Sequence, residues 1–213
     1  MDLKAHWETV YRTKRPHEVS WFQREARMSL ELIRRIAPEP ASAIVDVGGG
    51  ASTLVDGLLA AGYRRITVLD LSAAALTEAR RRLGSASAEV NWVEADILAA
   101  DLPRAAFDVW HDRAVFHFLT TAGDRARYVA QARLAVKPGG YVLVATFADD
   151  GPTRCSGLPV TRYTPVELHG EFGSGFRLVE SRREEHVTPA GATQAFVYCL
   201  CQVDPAVPSH VAA

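Results

Sequence analysis

The chain has 213 residues, of which 48% are hydrophobic and 23% charged, and its formal net charge is -1. That is the composition of one soluble globular domain, and it excludes a strongly basic nucleic-acid binder and a disordered chain. No apolar run approaches the ~18 residues of a membrane span, and the polar start MDLKAHWETV does not read as a signal peptide. The cysteines Cys155, Cys199 and Cys201 make no disulfide framework, which points to a reducing, cytoplasmic setting.

In chain order, Trp7 and Tyr11 stand four apart on one face of a first helix around residues 6–11. A polar segment over 12–20 leads to Trp21 and Phe22. A second helix over 23–36 carries Met28, Leu32 and Ile36 at period four, and Pro38 and Pro40 stop it. From residue 43 short β-branched runs alternate with helical ones. A strand over 43–47 runs into Gly48, Gly49 and Gly50, and a helix over 52–61 closes at Gly62. A strand over 65–69 ends at Asp70, and a helix over 72–83 has Ser72 as N-cap and Gly84 at its end. Strands over 90–94 and 107–111, a helix over 124–136, a turn at Lys137-Pro138-Gly139-Gly140 and a strand over 141–147 follow. This alternation predicts a parallel sheet with helices on both faces.

The last third breaks the pattern. Residues 148–162 read as a loop without regular structure, of a length usually reserved for function or mobility. Thr164-Pro165-Val166-Glu167 is a capping box that starts a helix. Two extended runs, over 176–184 and 194–203, turn through Pro189 and Gly191 and form an antiparallel pair, so the sheet is mixed. Residues 205–213 read as a frayed tail, and the whole as a single domain.

Three features at the ends of the strands carry chemistry. In VDVGGGAST, strand, glycine turn and helix succeed one another, so that backbone can press against a ligand and helix N–H groups face outward. Gly48 and Gly50 begin a G-x-G-x-x-G, with Thr53 in place of its last glycine; an ordinary turn would look the same. Asp70, at the tip of the next strand, is placed to accept hydrogen bonds from two ribose hydroxyls, or else to interact with a helix dipole. Asp96, after the third strand, adds an acid at the same sheet edge, where it could accept from an adenine amino group. Several acids near a dinucleotide pyrophosphate would be unfavourable, whereas a sulfonium cofactor without phosphate suits an acidic rim. The charge pattern favours S-adenosylmethionine.

VDVGGGAS, VLDLS, EADI, FDVWHD and LAVKPGGYVLVATF, in that order over residues 43–147, resemble the class I S-adenosylmethionine-dependent methyltransferases. The resemblance implies an α/β, Rossmann-like three-layer sandwich with a seven-stranded mixed sheet whose last strand is antiparallel. It also implies that Asp46, Gly48 and Gly50 border the amino-acid moiety of the cofactor. Asp70 would then hold the ribose, with Leu71 against the adenine. Asp96 and Ile97 would border the adenine, and His111 would sit beneath the sulfonium. The run Asp112-Arg113-Ala114 locally resembles the thiopurine-type methyltransferases, as does HWE, Tyr11, VSWFQ, which looks like an aromatic lid over residues 1–40. In that comparison Tyr11 and Trp21 would cover the cofactor, and residues 41–204 form the catalytic core.

WHDRAVFHF, at the end of the fourth strand, gathers His111, Asp112, Arg113 and His117 beside Phe116 and Phe118. Either these charges hold a loop together or they face the acceptor. On the second reading Asp112, His117 and His111 are the candidate bases, and Arg113 could orient an acceptor anion. Arg154, Cys155 and Arg162 in the following loop are further candidates for contacting the acceptor. Cys199 and Cys201 share one strand face without histidine spacing, so no metal site is expected. The expected function is methyl transfer to a small-molecule acceptor, a thiol or another soft nucleophile favoured. The competing functions are a protein (lysine) methyltransferase, a nicotinamide-dependent oxidoreductase and a non-catalytic cofactor-binding domain. The arginine clusters Arg34-Arg35, Arg80 to Arg82 and Arg182-Arg183 read as solvated faces, not a nucleic-acid surface.

Overall fold

The strand of greatest apolar content, β1 (Ala43–Val47), is buried at every position, so it needs cover on both faces. The computed structural model, which describes residues 2–205, supplies that cover. In chain order the elements are α1 (Leu3–Thr13), α2 (Arg27–Ile36), β1, α3 (Leu54–Ala60), β2 (Arg65–Asp70), α4 (Ala73–Leu83), β3 (Val90–Glu94) and β4 (Phe107–Arg113). Then come α5 (Ala122–Ala135), β5 (Val136–Phe147), β6 (Arg154–Cys155), β7 (Leu158–Pro159), α6 (Pro165–Phe172), β8 (Phe176–Val187) and β9 (Thr193–Val203). The expected tail lies, past residue 205, outside the described residues.

The seven-stranded sheet runs β3-β2-β1-β4-β5-β9-β8. The pairs from β3 to β5 are parallel, and β9 is antiparallel to both β5 and β8. On one face Val45, Val47 and Trp110 pack with Tyr128 of α5 and Leu168 of α6. On the other, Ile44, Val68 and Leu143 pack with Leu32 of α2, Leu54 and Leu58 of α3 and Leu76 of α4. The strand order reverses between β1 and β4, which opens a crevice at the carboxyl ends of these strands, where open α/β sheets bind ligands. The architecture is the expected Rossmann-like three-layer sandwich.

Three local expectations are corrected. The second helix begins at Arg27, not residue 23. Residues 23–26 are drawn off the helix axis because the Gln23 carbonyl accepts from Thr53 Oγ1 at 3.1 Å and the Gln23 side chain donates to Glu184 at 3.0 Å. Lys137-Pro138-Gly139-Gly140 is a bulge inside β5 and not a turn before it, since the register with β4 jumps from Phe107↔Val136 to Val109↔Tyr141. Lys137 Nζ anchors the bulge on Asp108 at 2.7 Å, and Gly139 takes a φ of 79° that suits glycine. Finally, residues 148–162 are not without structure. β6 and β7 form a hairpin whose turn residues Ser156 and Gly157 both have positive φ, the geometry of a two-residue type I′ turn.

Candidate active site

The site begins at the glycine turn after β1. The N–H groups of Gly48 and Gly49 both donate to the Leu69 carbonyl, at 2.7 and 3.3 Å, which folds the turn tightly over the end of β2. A side chain added here would displace its neighbours. A Cβ at Gly48 would meet Val115 Cγ2 at 1.9 Å, one at Gly49 would meet Asp46 Oδ2 at 2.5 Å, and one at Gly50 would meet Asp70 Oδ2 at 2.6 Å. The backbone of the turn therefore lies directly against two carboxylates.

Those carboxylates are only partly satisfied by protein. Asp46 Oδ1 is 2.7 Å from His111 Nδ1, while its buried Oδ2 has no partner. Asp70 Oδ1 accepts from the Ser72 N–H at 2.8 Å, and the residue, 8% exposed, borders a cleft. Burial pushes its carboxyl up to about 7, against the pull of the Ser72 N–H and with help from the Asp46 and Glu8 charges. Asp96 is exposed on the same cleft, with Oδ1 accepting from the Leu98 N–H at 2.9 Å.

The cleft has two adjoining chambers that share Tyr11, Trp21, Gly48 and Arg113. The outer chamber, about 160 Å3, is bordered by Asp70, Leu71, Asp96 and Ile97 on one side and by Trp7 and Phe118 on the other. The inner one, about 50 Å3, is bordered by Phe22, Gln23, Thr53 and His111. The structure thus brings Tyr11, Trp21, Gly48, Asp70, Leu71, Asp96, Ile97, His111 and Arg113 around one space, while Asp46, 2% exposed, and Gly50 lie behind the turn and border neither chamber.

Its roof is aromatic. The Trp7 ring lies 5.2 Å from Phe118 and 5.6 Å from Trp21, and Tyr11 lies 6.4 Å from Trp21, centroid to centroid. Helix α1 is latched over the strand tips by Glu8, which accepts from Ser72 Oγ and the Ala74 N–H, both at 3.2 Å. Burial opposes the charge of Glu8, but these donors and Arg12 outweigh it and hold the carboxyl below its ordinary value. Burial and the neighbouring Asp70 charge push the Tyr11 phenol up.

The end of β4 behaves differently. Alternation along the strand sends His111 and Arg113 to the chambers but Asp112 into the opposite core. Asp112 is fully buried and accepts from the N–H groups of Val115 and Phe116 at 2.8 and 3.0 Å and from Tyr128 Oη at 2.5 Å. It borders neither chamber, where the sequence suggested a base, and its oxygens hold the following turn. His117 is also fully buried, packed on Phe118 and Phe147, and borders neither chamber. Burial, assisted by the Arg113 charge, depresses it to about 3.

Arg113 reaches the chambers with every nitrogen engaged. Nε donates to Tyr198 Oη at 3.1 Å, Nη1 to the Trp21 carbonyl at 3.3 Å and Nη2 to Glu184 at 3.3 Å, and the guanidinium lies 4.0 Å over the Phe196 ring. It ties the roof segment at Trp21 to β9 instead of offering a free fork to an anion. Cys155 borders the outer chamber, 5% exposed, with burial pushing its thiol up to about 12. Arg154 and Arg162 donate to the carbonyls of Gly157 and Gly151 and brace the hairpin loop. Cys199 and Cys201 lie Sγ to Sγ at 3.4 Å, and no group of three metal-ligating side chains forms among the described residues.

Sequence reasoning missed Glu8, Ser29, Glu184 and Tyr198. Each acts across a long chain separation, so no local pattern marked it.

Residues 44–140 match the family model described as a methyltransferase domain. An uncharacterized methyltransferase of Mycobacterium tuberculosis (strain ATCC 25618 / H37Rv) is 34% identical over 120 residues, which are 54% of this chain and 56% of that protein. A ubiquinone/menaquinone biosynthesis C-methyltransferase of Ruegeria sp. (strain TM1040) is 30% identical over 160 residues, 70% of this chain and 62% of that one. The chain thus spans less than two thirds of the length of these relatives. Among solved structures, Burkholderia thailandensis 1,6-didemethyltoxoflavin-N1-methyltransferase, with bound 1,6-didemethyltoxoflavin and S-adenosylhomocysteine, superposes with a TM-score of 0.71 at 18% identity, over 95% of this chain and 87% of that one. A structure described as the conversion of a disulfide bond into a thioacetal group during echinomycin biosynthesis superposes with a TM-score of 0.76 at 19% identity, over 97% and 95%. These likenesses show a shared fold.

Proposed function

We propose that this chain, whose centre carries a methyltransferase domain in the class I fold, is an S-adenosylmethionine-dependent methyltransferase acting on a small-molecule acceptor. The observation that carries the reading is the set of acids at neighbouring strand tips. Asp46 keeps a buried oxygen that no protein donor fills among the described residues, Asp70 and Asp96 stand on the rim of the outer chamber, and a glycine turn presses against the first two. Such a crevice fits a cationic adenosine derivative and repels a pyrophosphate.

In this reading the Asp46 side holds the amino-acid end, Asp70 the ribose, and Leu71, Asp96 and Ile97 the adenine, with Tyr11 and Trp21 above. When bound, S-adenosylmethionine supplies a methyl group on a positively charged sulfur, already activated for in-line displacement. What the protein adds is alignment and exclusion of water, and alignment alone can be worth on the order of 7–11 kcal/mol. The aromatic roof of Trp7, Tyr11, Trp21 and Phe118 encloses the junction of the two chambers.

The chamber walls also favour a soft acceptor. Among the described lining residues, His111 has both ring nitrogens engaged and Cys155 is a strongly protonated thiol. An acceptor must then bring its own nucleophile, which a thiol of pKa ~8.5 does at neutral pH and an alcohol or a lysine ammonium does not. The local resemblance to thiopurine-type enzymes leans the same way. A nucleic-acid acceptor is disfavoured because Arg35, Arg81, Arg82, Arg182 and Arg183 each sit in an ion pair with a protein carboxylate. We read residues 1–213 as one domain working in the cytoplasm; among the described residues no helix is long and apolar enough to cross a membrane.

Calorimetry tests the cofactor: we expect micromolar binding of S-adenosylhomocysteine and none of NAD, and the reverse would overturn the reading. A methylation screen across thiols, selenide, amines, phenols and peptides identifies the acceptor. Turnover on peptide lysines alone would replace the small-molecule reading by a protein-methylating one.

A further inference from the structure

Behind the glycine turn runs a buried hydrogen-bond chain drawn from three elements. Ser29, in the first turn of α2, is fully buried, and its Oγ lies 2.8 Å from His111 Nε2. On the other side of the imidazole, Nδ1 lies 2.7 Å from Asp46 Oδ1 at the end of β1. A carboxylate only accepts, so the ring proton belongs on Nδ1. When the ring carries that proton alone, Nε2 offers a lone pair, and the Ser29 hydroxyl is the donor that meets it. The chain therefore has a direction, from Ser29 through His111 to Asp46.

It ends on an atom left over. Asp46 Oδ2 is buried without a partner and lies against the turn, where a Cβ on Gly49 would stand 2.5 Å away. A buried oxygen without a donor is costly unless a ligand supplies one. Serine, histidine and aspartate in this order also activate nucleophiles, but Ser29 is fully enclosed and borders neither chamber, so no acyl group could reach it.

We propose that Ser29 is a positioning residue: through His111 it fixes the rotation of the Asp46 carboxylate, so that Oδ2 is presented to the cationic amino-acid end of an S-adenosyl cofactor. This rests on the methyltransferase reading above. It gives His111 a supporting role in place of a direct contact with the sulfonium. It also links the start of α2, which follows the Trp21 to Ala26 wall of the inner chamber, to the ligand's ammonium group.

Two ligands separate positioning from simple structure. S-adenosylhomocysteine carries the amino-acid end, and 5′-methylthioadenosine lacks it. Ser29→Ala should raise the Kd of the first about tenfold, or ~1.4 kcal/mol, while the second binds within about twofold of the unaltered protein. Equal weakening of both, or of neither, overturns the proposal. If Ser29→Ala does not fold, nitrogen-15 NMR of the unaltered protein still decides. We expect His111 as the neutral Nδ1–H tautomer with a hydrogen-bonded Nε2, and the opposite tautomer or an imidazolium overturns the directed chain. Unaltered protein that binds neither nucleoside overturns the methyltransferase reading itself, an outcome distinct from the others.

Discussion

At the end of β1 Asp46 keeps a buried oxygen without a partner among the described residues, and at the end of β2 and just beyond β3 Asp70 and Asp96 border the outer chamber. At the end of β4, one strand away, Asp112 has three donors and Arg113 has an acceptor at each donating nitrogen. The first region bears the cost of holding acids open to a ligand, whereas the second uses its charges to build the floor and roof of the cleft. An ionisable cluster in sequence is therefore a poor guide to catalysis until its hydrogen bonds have been counted.

The largest effect that could break this contrast is at Asp112. Asp112→Ala strands two N–H groups and a tyrosine hydroxyl in the core and should cost about 3–5 kcal/mol in urea unfolding. Turnover per folded molecule should hardly change. A loss below about 1 kcal/mol together with abolished turnover would return Asp112 to the chemistry.

Asp70 should show the opposite signature. Asp70→Ala should weaken S-adenosylhomocysteine binding by about 2–3 kcal/mol, because ribose hydroxyls lose their acceptor; unchanged affinity in calorimetry would refute its role. Its carboxyl stands at about 7 when folded, above the ordinary value of 3.8. Between these values the native state holds more protons than the unfolded one, so this group's contribution to stability falls as pH rises toward 7. Asp70→Asn should accordingly raise the melting temperature at pH 8 but not at pH 4, a gain on the order of 1–3 kcal/mol. Donors from a ligand favour the ionised form, so affinity should climb as pH rises to about 7 and then level off; a flat profile would contradict this.

Arg113 sharpens the comparison because it touches both chambers. Arg113→Ala should lower turnover about tenfold while cofactor affinity stays within about threefold (~0.7 kcal/mol), since it anchors the roof at Trp21. If both fall together, Arg113 belongs to the cofactor site or to the fold. The smallest effect is expected at His117. At about 3 the ring is neutral across the working range, and His117→Leu should leave the pH–rate profile from pH 6 to 9 unaltered. A lost limb in that profile would make His117 a base after all.

Most of the fold was legible in the sequence because its signals are local. The Ser72 cap accepts from the Ala75 N–H at 3.2 Å, Thr164 and Glu167 form the expected capping box, and β1 and β3 occupy the expected residues. The bulge in β5 was hidden because it depends on the register with β4, whereas the hairpin at Ser156-Gly157 is local and its Ser-Gly turn signal went unread. That the glycine turn, Asp70, Leu71, Asp96 and Ile97 meet at one sheet edge was legible because each follows the end of a strand. The partners Glu8, Ser29 and Glu184 were not, because their contacts with residues 72–74, 111 and 113 span far more chain than any local pattern covers.

The amino-acid sequence by itself determined the order of strands and helices, the placement of acids and glycines at one sheet edge, and hence the kind of ligand that edge would suit. Those features follow from period, capping and turn chemistry, which act over a few residues. Only the tertiary structure decided which charged groups remain available. Burial and hydrogen-bond partners come from elements distant in the chain, and they leave Asp70 open to the cleft while closing Asp112 and His117 inside the core.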